Sequence, residues 1–245
     1  MSSRHLPAIQ PLTARSVAIS TLLGYHPPAL PAQALIKVGE LFGIAERTTR
    51  VALTRMAADG DVTVDNGICR LTERLVRRQA QQEQACSPIP KEWNGNWEVA
   101  VVTTTARPLA ERVSLRKSML GARFAELREG VWTRPANLLQ HIDRIATEQC
   151  LFFEGRYRND AELAAELWDL SAWAAESRRL CVELEAADSL VSGFMANAEV
   201  FRQLLLDPCL PPELLPADWP GDELRQRFSE FNRAYAQRLR EYSQG

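Results

Sequence analysis

Between residues 32 and 71 the apolar positions change period, and that change predicts a winged helix–turn–helix. Leu35, Val38 and Leu41 recur at three-residue spacing after Pro31, the pattern of one buried helix face. Gly43 supplies the tight turn, with Ile44 as the apolar plug beside it. A second helix is expected over residues 46–59. It buries Thr49, Ala52, Leu53 and Met56 and turns Arg47, Thr48, Arg50, Val51, Thr54 and Arg55 outward. Gly60 stops that helix. Short strands at residues 61–64 and 68–71 meet at Asp65-Asn66-Gly67, and Asn-Gly is a strong hairpin signal because both central residues of a type I′ turn need positive φ. A preceding helix, residues 13–23, is expected to pack through Val17, Ile19 and Leu22 or Leu23. The three prolines within residues 26–31 read as a stiff connector.

Beyond the wing, residues 73–84 are polar and rich in Arg and Gln, a linker helix ended by Cys86-Ser87-Pro88-Ile89-Pro90. The middle third then alternates element types. Residues 97–103 form a buried strand, and 108–120 a helix with Leu109, Val113 and Leu120 inward. Strands 123–127 and 131–133 are joined by Arg128-Glu129-Gly130. A second helix over 137–147 runs through Leu138, Leu139, Ile142 and Ile145, and 150–153 is a fourth strand. That order, βαββαβ, is a ferredoxin-like unit. From Asp160 onward the pattern is helical. Leu163, Leu167, Leu170, Ala174, Cys181 and Leu184 form a stripe, a break rich in proline follows, and an amphipathic helix covers 222–242. The expected fold is α+β and multidomain. It comprises a winged helix–turn–helix with linker helix (1–84), a ferredoxin-like central and dimerisation domain (91–157) and an all-α C-terminal domain (158–245).

Charge refines this picture through its distribution. The net charge of the 245 residues is −2. Residues 1–84 carry ten basic and seven acidic side chains, 85–157 ten and eight, and 158–245 nine and sixteen. A phosphate-binding surface is therefore expected at the N-terminal end rather than in the acidic last third. The five cysteines are scattered and form no CxxC pair, which points to reduced structural thiols and a cytoplasmic location. No signal peptide opens the sequence and no apolar run approaches the ~20 residues a membrane span needs.

A recognition helix enters the major groove by its N-terminal turns, so side chains there must be long, polar and rich in donors. Arg47, Thr48, Arg50, Thr54 and Arg55 meet that need, Val51 can touch a thymine methyl, and Asn66 and Arg70 of the wing would lie near the backbone or minor groove. A solvated basic face is the plainer alternative. A winged helix that docks protein instead of DNA is another, separable by its weak salt dependence. Catalysis is not expected. The three histidines, His5, His26 and His141, sit in no HExxH or HxH context, and GxSxG, GxxxxGK[ST] and GxGxxG are missing. A metal-dependent nuclease would need carboxylates at the end of the first central strand, where the chain reads Val101-Val102-Thr103-Thr104. Neither a metal nor a cofactor is expected. Arg107, Arg112, Arg116 and Lys117 could hold the phosphates of a ligand, and Trp93 and Trp97 could stack on an aromatic group. Their plainer roles are a basic face or dimer contact and an interdomain anchor.

Three stretches carry a resemblance. The first is Arg50-Val51-Ala52-Leu53-Thr54-Arg55-Met56 with Gly60 and the wing ending in Leu71-Thr72. The second is Trp93-Asn94-Gly95-Asn96-Trp97, followed by Arg112, Leu115-Arg116, Leu120 and residues 130–135. The third is the idiosyncratic run from Asp207 to Gly221, DPCLPPELLPADWPG, with Leu167-Trp168-Asp169-Leu170 upstream. Over essentially its whole length the sequence resembles the PaaX family of transcriptional repressors. The resemblance implies a homodimer with a winged helix, a central domain similar to the Cas2 nuclease fold and a helical C-terminal domain. It further implies repression of an aromatic-acid catabolic operon, of the phenylacetate type, by binding double-stranded operator DNA. Release would come from an acyl-CoA effector such as phenylacetyl-CoA; a site between the central and C-terminal domains is the expected mechanism rather than part of the resemblance. Arg47, Thr48, Arg50 and Arg55 match the family's recognition helix by position; no effector residue can be carried over. The connector 26–31 is more proline-rich than the family has there.

Overall fold

The computed structural model describes residues 13–25, 27–86, 88–104, 107–139 and 142–244. His5, His26 and His141 lie outside them. The chain divides into two compact units. One comprises Met1–Gln82, Leu184–Ala198 and Arg227–Gly245; the other comprises Glu83–Glu183 and Glu199–Gln226.

The first unit holds the winged helix. Helix α1 (Ala14–Leu23) opens on a capping box in which Thr13 Oγ1 accepts from the Ser16 amide at 3.1 Å and Ser16 Oγ accepts from the Thr13 amide at 3.0 Å. Helices α2 (Ala32–Leu41) and α3 (Glu46–Ala58) follow, separated by Gly43 at φ 68, with the Ile44 amide closing back on the Gly39 carbonyl at 3.0 Å. Strands β2 (Val62–Asp65) and β3 (Ile68–Leu71) form the wing, and Asn66 (φ 48) and Gly67 (φ 78) both take the left-handed conformation that the Asn-Gly pair promised. The expected stiff connector is in part a strand. Strand β1 (Ala29–Pro31) pairs antiparallel with β3, in sheet order β1-β3-β2. Pro31 is tolerated because β1 is an edge, where a missing N–H costs no ladder bond. Leu22, Leu35, Leu53, Met56, Val62, Cys69 and Leu71 make the core, and Leu75 of α4 (Glu73–Cys86) closes it.

A second cluster in the same unit joins Val17, Val38 and Ile44 to Phe194, Phe231 and Tyr235 of the C-terminal helices α9 (Leu190–Leu205) and α10 (Gly221–Gln244). The residues expected to make a third, separate helical domain thus fall into both units.

The second unit contains the ferredoxin-like fold. Strands β4 (Trp97–Val102), β5 (Ala125–Arg128), β6 (Val131–Pro135) and β7 (Cys150–Gly155) lie in the order β5-β6-β4-β7, all neighbours antiparallel. Helices α5 (Leu109–Gly121) and α6 (Arg144–Gln149) connect them. Alternation along the strands sorts the sheet into two faces. Ala100, Trp132, Cys150 and Phe152 meet α5 and α6 in one core, while Trp97 and Ala125 meet Trp168, Leu210 and Leu214 in another.

Three helical segments differ from expectation. The buried face of α5 runs through Leu115 and Met119, leaving Leu109 and Val113 69% and 58% exposed. The expected helix over 137–147 begins only at Arg144, because residues 137–139 are extended: Lys91 donates to the Asn137 carbonyl and Leu139 to that of Ile89, each at 2.8 Å. Asp143 then caps α6 by accepting from the Ala146 amide at 3.0 Å. The apolar stripe from Leu163 to Leu184 is likewise two helices, α7 (Asp160–Leu167) and α8 (Leu170–Glu185). The break falls at Trp168-Asp169, where Asp169 accepts from the Ala172 amide at 2.9 Å.

The proline-rich run is tied to the sheet by buried polar groups. The side-chain amide of Asn137 donates to the Cys209 carbonyl at 2.9 Å, and the buried Arg123 donates to the carbonyls of Leu204 and Leu205 at the end of α9. Asp207, 1% exposed, accepts from the Cys209 amide at 2.8 Å and pairs with Arg225. Burial raises the Asp207 carboxyl and pushes the Cys209 thiol up to about 11.

Helices α2 and α3 touch closely at Gly39. A Cβ there would stand 2.6 Å from Thr49 Oγ1, a fully buried hydroxyl without a hydrogen-bond partner among the described residues. Gly39→Ala is therefore expected to destabilise the protein by about 1–3 kcal/mol through overpacking. Thr49→Ala in the same chain should restore most of that loss by removing both the clash and the unpaired hydroxyl. Urea unfolding of the parent and both variants checks this, and equal destabilisation with and without Thr49→Ala would exclude the clash as the cause.

Candidate nucleic-acid interface

Helix α3 buries Thr49, Leu53 and Met56 and so turns a cationic face to solvent. Arg47, Thr48, Arg50, Val51, Thr54 and Arg55 are all exposed, with Val51 at 44% in the middle of the face. Their environments differ. Arg47 and Arg55 have no ion-pair or hydrogen-bond partner among the described residues, whereas Arg50 grips Glu46 one turn earlier through Nε at 2.8 Å and Nη2 at 2.6 Å. Thr54 spends its hydroxyl proton on the Arg50 carbonyl at 3.0 Å. Glu46 was not among the expected site residues, although its four-residue spacing from Arg50 is a legible ion-pair signal.

An open groove of about 470 Å³ runs between the first turn of α1 and the flank of α3, lined among others by Arg15, Arg47, Thr48, Val51, Arg55 and Asp59. The contribution of α1 is a second feature that sequence reasoning missed. It depends on how α1 folds over α3, which Asp61 fixes: this buried carboxylate accepts Arg15 of α1 at 2.6 Å and Arg74 of α4 at 3.1 Å. In the wing, Asn66 forms the turn and Arg70 stands opposite Thr63 on the outward face, while Asp65 and the half-exposed Val64 and Ile68 make the tip acidic and apolar. Arg70 is thus the wing's one cation among residues 62–71.

The second set of candidates does not form one site. Arg107, Arg112, Arg116 and Lys117 belong to α5 or the approach to it. Arg107 donates to Gln149 Oε1 at 3.3 Å, and Arg116 pairs with Glu126 and lies over the Trp132 ring, 5.5 Å from its centroid. Arg112 and Lys117 are exposed and have no partner among the described residues. Trp93 and Trp97 lie in the core on the other face of the sheet from α5. Trp97 is wholly buried, donates from Nε1 to Asp160 at 2.8 Å, and is covered by Tyr157 and Trp168. Its expected availability for ligand stacking is corrected: no face of the ring is open. Trp93 donates to the Asn96 carbonyl at 2.7 Å and packs against the same core.

Among the described residues no group of three or more His, Cys, Asp or Glu side chains could hold a metal ion, and no helix is long and apolar enough to cross a membrane. The five cysteines are buried and form no disulfide among the described residues, and burial raises the thiols of Cys69 and Cys150 as well as Cys209.

A winged helix with an exposed arginine face, joined to a ferredoxin-like fold and helices, defines a winged-helix transcriptional regulator. Three family models match successive parts of the chain: PaaX-like protein over residues 13–75, PaaX protein central Cas2-like domain over 90–162, and PaaX-like protein C-terminal domain over 159–245. The chain belongs to the PaaX-like family. It is 26% identical over 224 residues to the transcriptional repressor PaaX of Escherichia coli strain K12, covering 76% of this chain and 68% of that protein. Among solved structures it is similar to an uncharacterized protein from Mycobacterium tuberculosis, 43% identical, with a TM-score of 0.86 over 94% of this chain and 98% of that one.

Proposed function

We propose that the protein represses transcription by binding double-stranded operator DNA through α3 and the wing, as a homodimer, and that an acyl-CoA releases it. The observation that carries the reading is the outer face of α3, where Arg47 and Arg55 stand uncommitted on either side of Val51. In this reading they and Thr48 meet the major groove, and Arg70 and Asn66 follow the backbone beside it. Membership of the PaaX-like family supports the repressor role, and the name of the E. coli relative supports it further.

The target is an aromatic-acid catabolic operon of the phenylacetate type, and the effector is phenylacetyl-CoA or a related thioester. Arg107, Arg112, Arg116 and Lys117 are the candidate partners for its phosphates; Arg112 and Lys117 are the uncommitted members of that set. The homodimer is supported by the sheet face opposite α5. There Leu151 and Phe153 on edge strand β7, exposed to 60% and 50%, lie beside Val101 and the buried Val99 of β4, on the part of that face that Trp168, Leu210 and Leu214 do not cover. An apolar sheet face with no charged side chain at its centre suits an isologous contact, which sets the same surface against itself.

A mobility shift with the DNA upstream of its own gene tests the reading. Arg47→Ala and Arg55→Ala are each expected to weaken binding, by about 1–3 kcal/mol where the lost contact is to a base, and to lower the salt dependence where it is to a phosphate. Parental affinity in both variants would overturn the assignment of α3. Phenylacetyl-CoA added to the parental complex should free the DNA, while phenylacetate or CoA alone should not; release by either part alone, or by none of the three, would exclude the thioester. Phe153→Asp should sediment as a folded monomer, and an unchanged dimer in both Phe153→Asp and Leu151→Asp would exclude that sheet face.

A further inference from the structure

We infer that Glu46 and Arg50 act as one base-reading unit at the entering end of α3, with Arg50 on a guanine and Glu46 on a cytosine amino group. The inference rests on the DNA-binding reading above and deepens it by naming the specificity-determining pair. Glu46 is the first residue of α3 and Arg50 lies one turn further, so the pair occupies the end of the helix that approaches base edges. Nε and Nη2 of Arg50 both donate to Glu46 Oε1, at 2.8 and 2.6 Å. That arrangement holds the guanidinium plane while leaving its Nη1 side uncommitted. It also leaves Glu46 Oε2 without a hydrogen bond among the described residues. Both side chains are about half exposed, at 57% and 49%.

The chemistry of duplex DNA explains why an acid belongs here. A carboxylate brought among phosphates is repelled, so it adds nothing to general affinity. In the major groove, however, cytosine N4 is a donor that Glu accepts from, while guanine O6 and N7 take two N–H groups from Arg. Arg47 and Arg55 have no such tether and stay free to turn to either a base edge or a phosphate. The face thus sets one held arginine, which reads through its pairing with Glu46, beside two free ones.

Selection from a randomised duplex library by the full-length protein, followed by affinity measurement on the enriched sites, tests the pair. The parent should enrich a half-site containing a guanine and a cytosine that the following variants disturb. E46A should lose the cytosine preference by about tenfold while keeping or gaining affinity for unrelated duplex. E46Q should move that preference from cytosine to adenine, since Gln pairs with adenine N6 and N7. R50K should blunt the guanine preference, Lys lacking the planar fork. Circular dichroism confirms that each variant is folded. If E46A and the parent select the same motif, differing only by a uniform change in affinity, the pair is a helix-stabilising contact and the inference is overturned. If the parent enriches no motif and binds no duplex, the DNA-binding reading fails first, an outcome distinct from the other.

Discussion

The approach of α2 to α3 at Gly39 is the constraint from which the exposed cationic face of α3 follows. Only a residue without Cβ lets the two helices close until Thr49 is fully buried. That burial fixes the rotation of α3 about its own axis. With Thr49, Leu53 and Met56 inward, Arg47, Val51 and Arg55 have no direction left except outward. Gly43, at φ 68, then sets the angle between the helices, and Asp61 holds α1 and α4 against the same body through Arg15 and Arg74. The cationic face is a consequence of packing on its opposite side.

How much of this is legible in the sequence depends on whether the signal is local. The turn glycines, the Asn-Gly hairpin and the three-residue spacing of α2 each specify backbone conformation within a few residues, and the winged helix follows from them. The βαββαβ order is legible for the same reason, since strands and helices there alternate with clear breaks. The inner face of α5 is not. Leu109 and Val113 are as apolar as Leu115 and Met119, and which pair turns inward depends on where the sheet lies, which is a tertiary fact. Residues 137–139 illustrate a related failure. Leu138 and Leu139 suit a helix, but a short pairing with Ile89 and Pro90, some fifty residues away, takes their backbone instead. At the candidate site, every α3 residue read as exposed is exposed. What escaped was relational: the grip of Glu46 on Arg50, the contribution of α1 to the groove, and the burial of Trp97.

The proline-rich motif near residue 207 shows why an idiosyncratic sequence can carry structure rather than chemistry. Cys209 adopts φ 52 and Arg123 φ 67, conformations that cost energy for residues with a side chain. Both are held by buried polar bonds, Cys209 by Asp207 and Asn137 and Arg123 by the last carbonyls of α9. A buried carboxylate is stable there only because Arg225 and the Cys209 amide share its charge. The motif is a junction that fastens helical segments to the sheet of the same unit, and its thiol, raised to about 11, is chemically quiet.

The proposed release by a small molecule would set a quantitative demand on the protein. To reverse an equilibrium from 99:1 in favour of the DNA-binding form to 1:99, a ligand must prefer the other form by roughly 10⁴-fold, or about 5.5 kcal/mol. In a symmetric dimer two ligands share the task, so each must supply roughly 10²-fold. A single charge-assisted hydrogen bond contributes about 1.5–3 kcal/mol, so one or two such bonds made in only one form would suffice at each site. That requirement favours residues that are uncommitted before the ligand arrives. Arg112 and Lys117 satisfy it. Arg116 would first have to leave Glu126 and the face of Trp132, and breaking those interactions offsets much of the free energy that a new phosphate bond supplies.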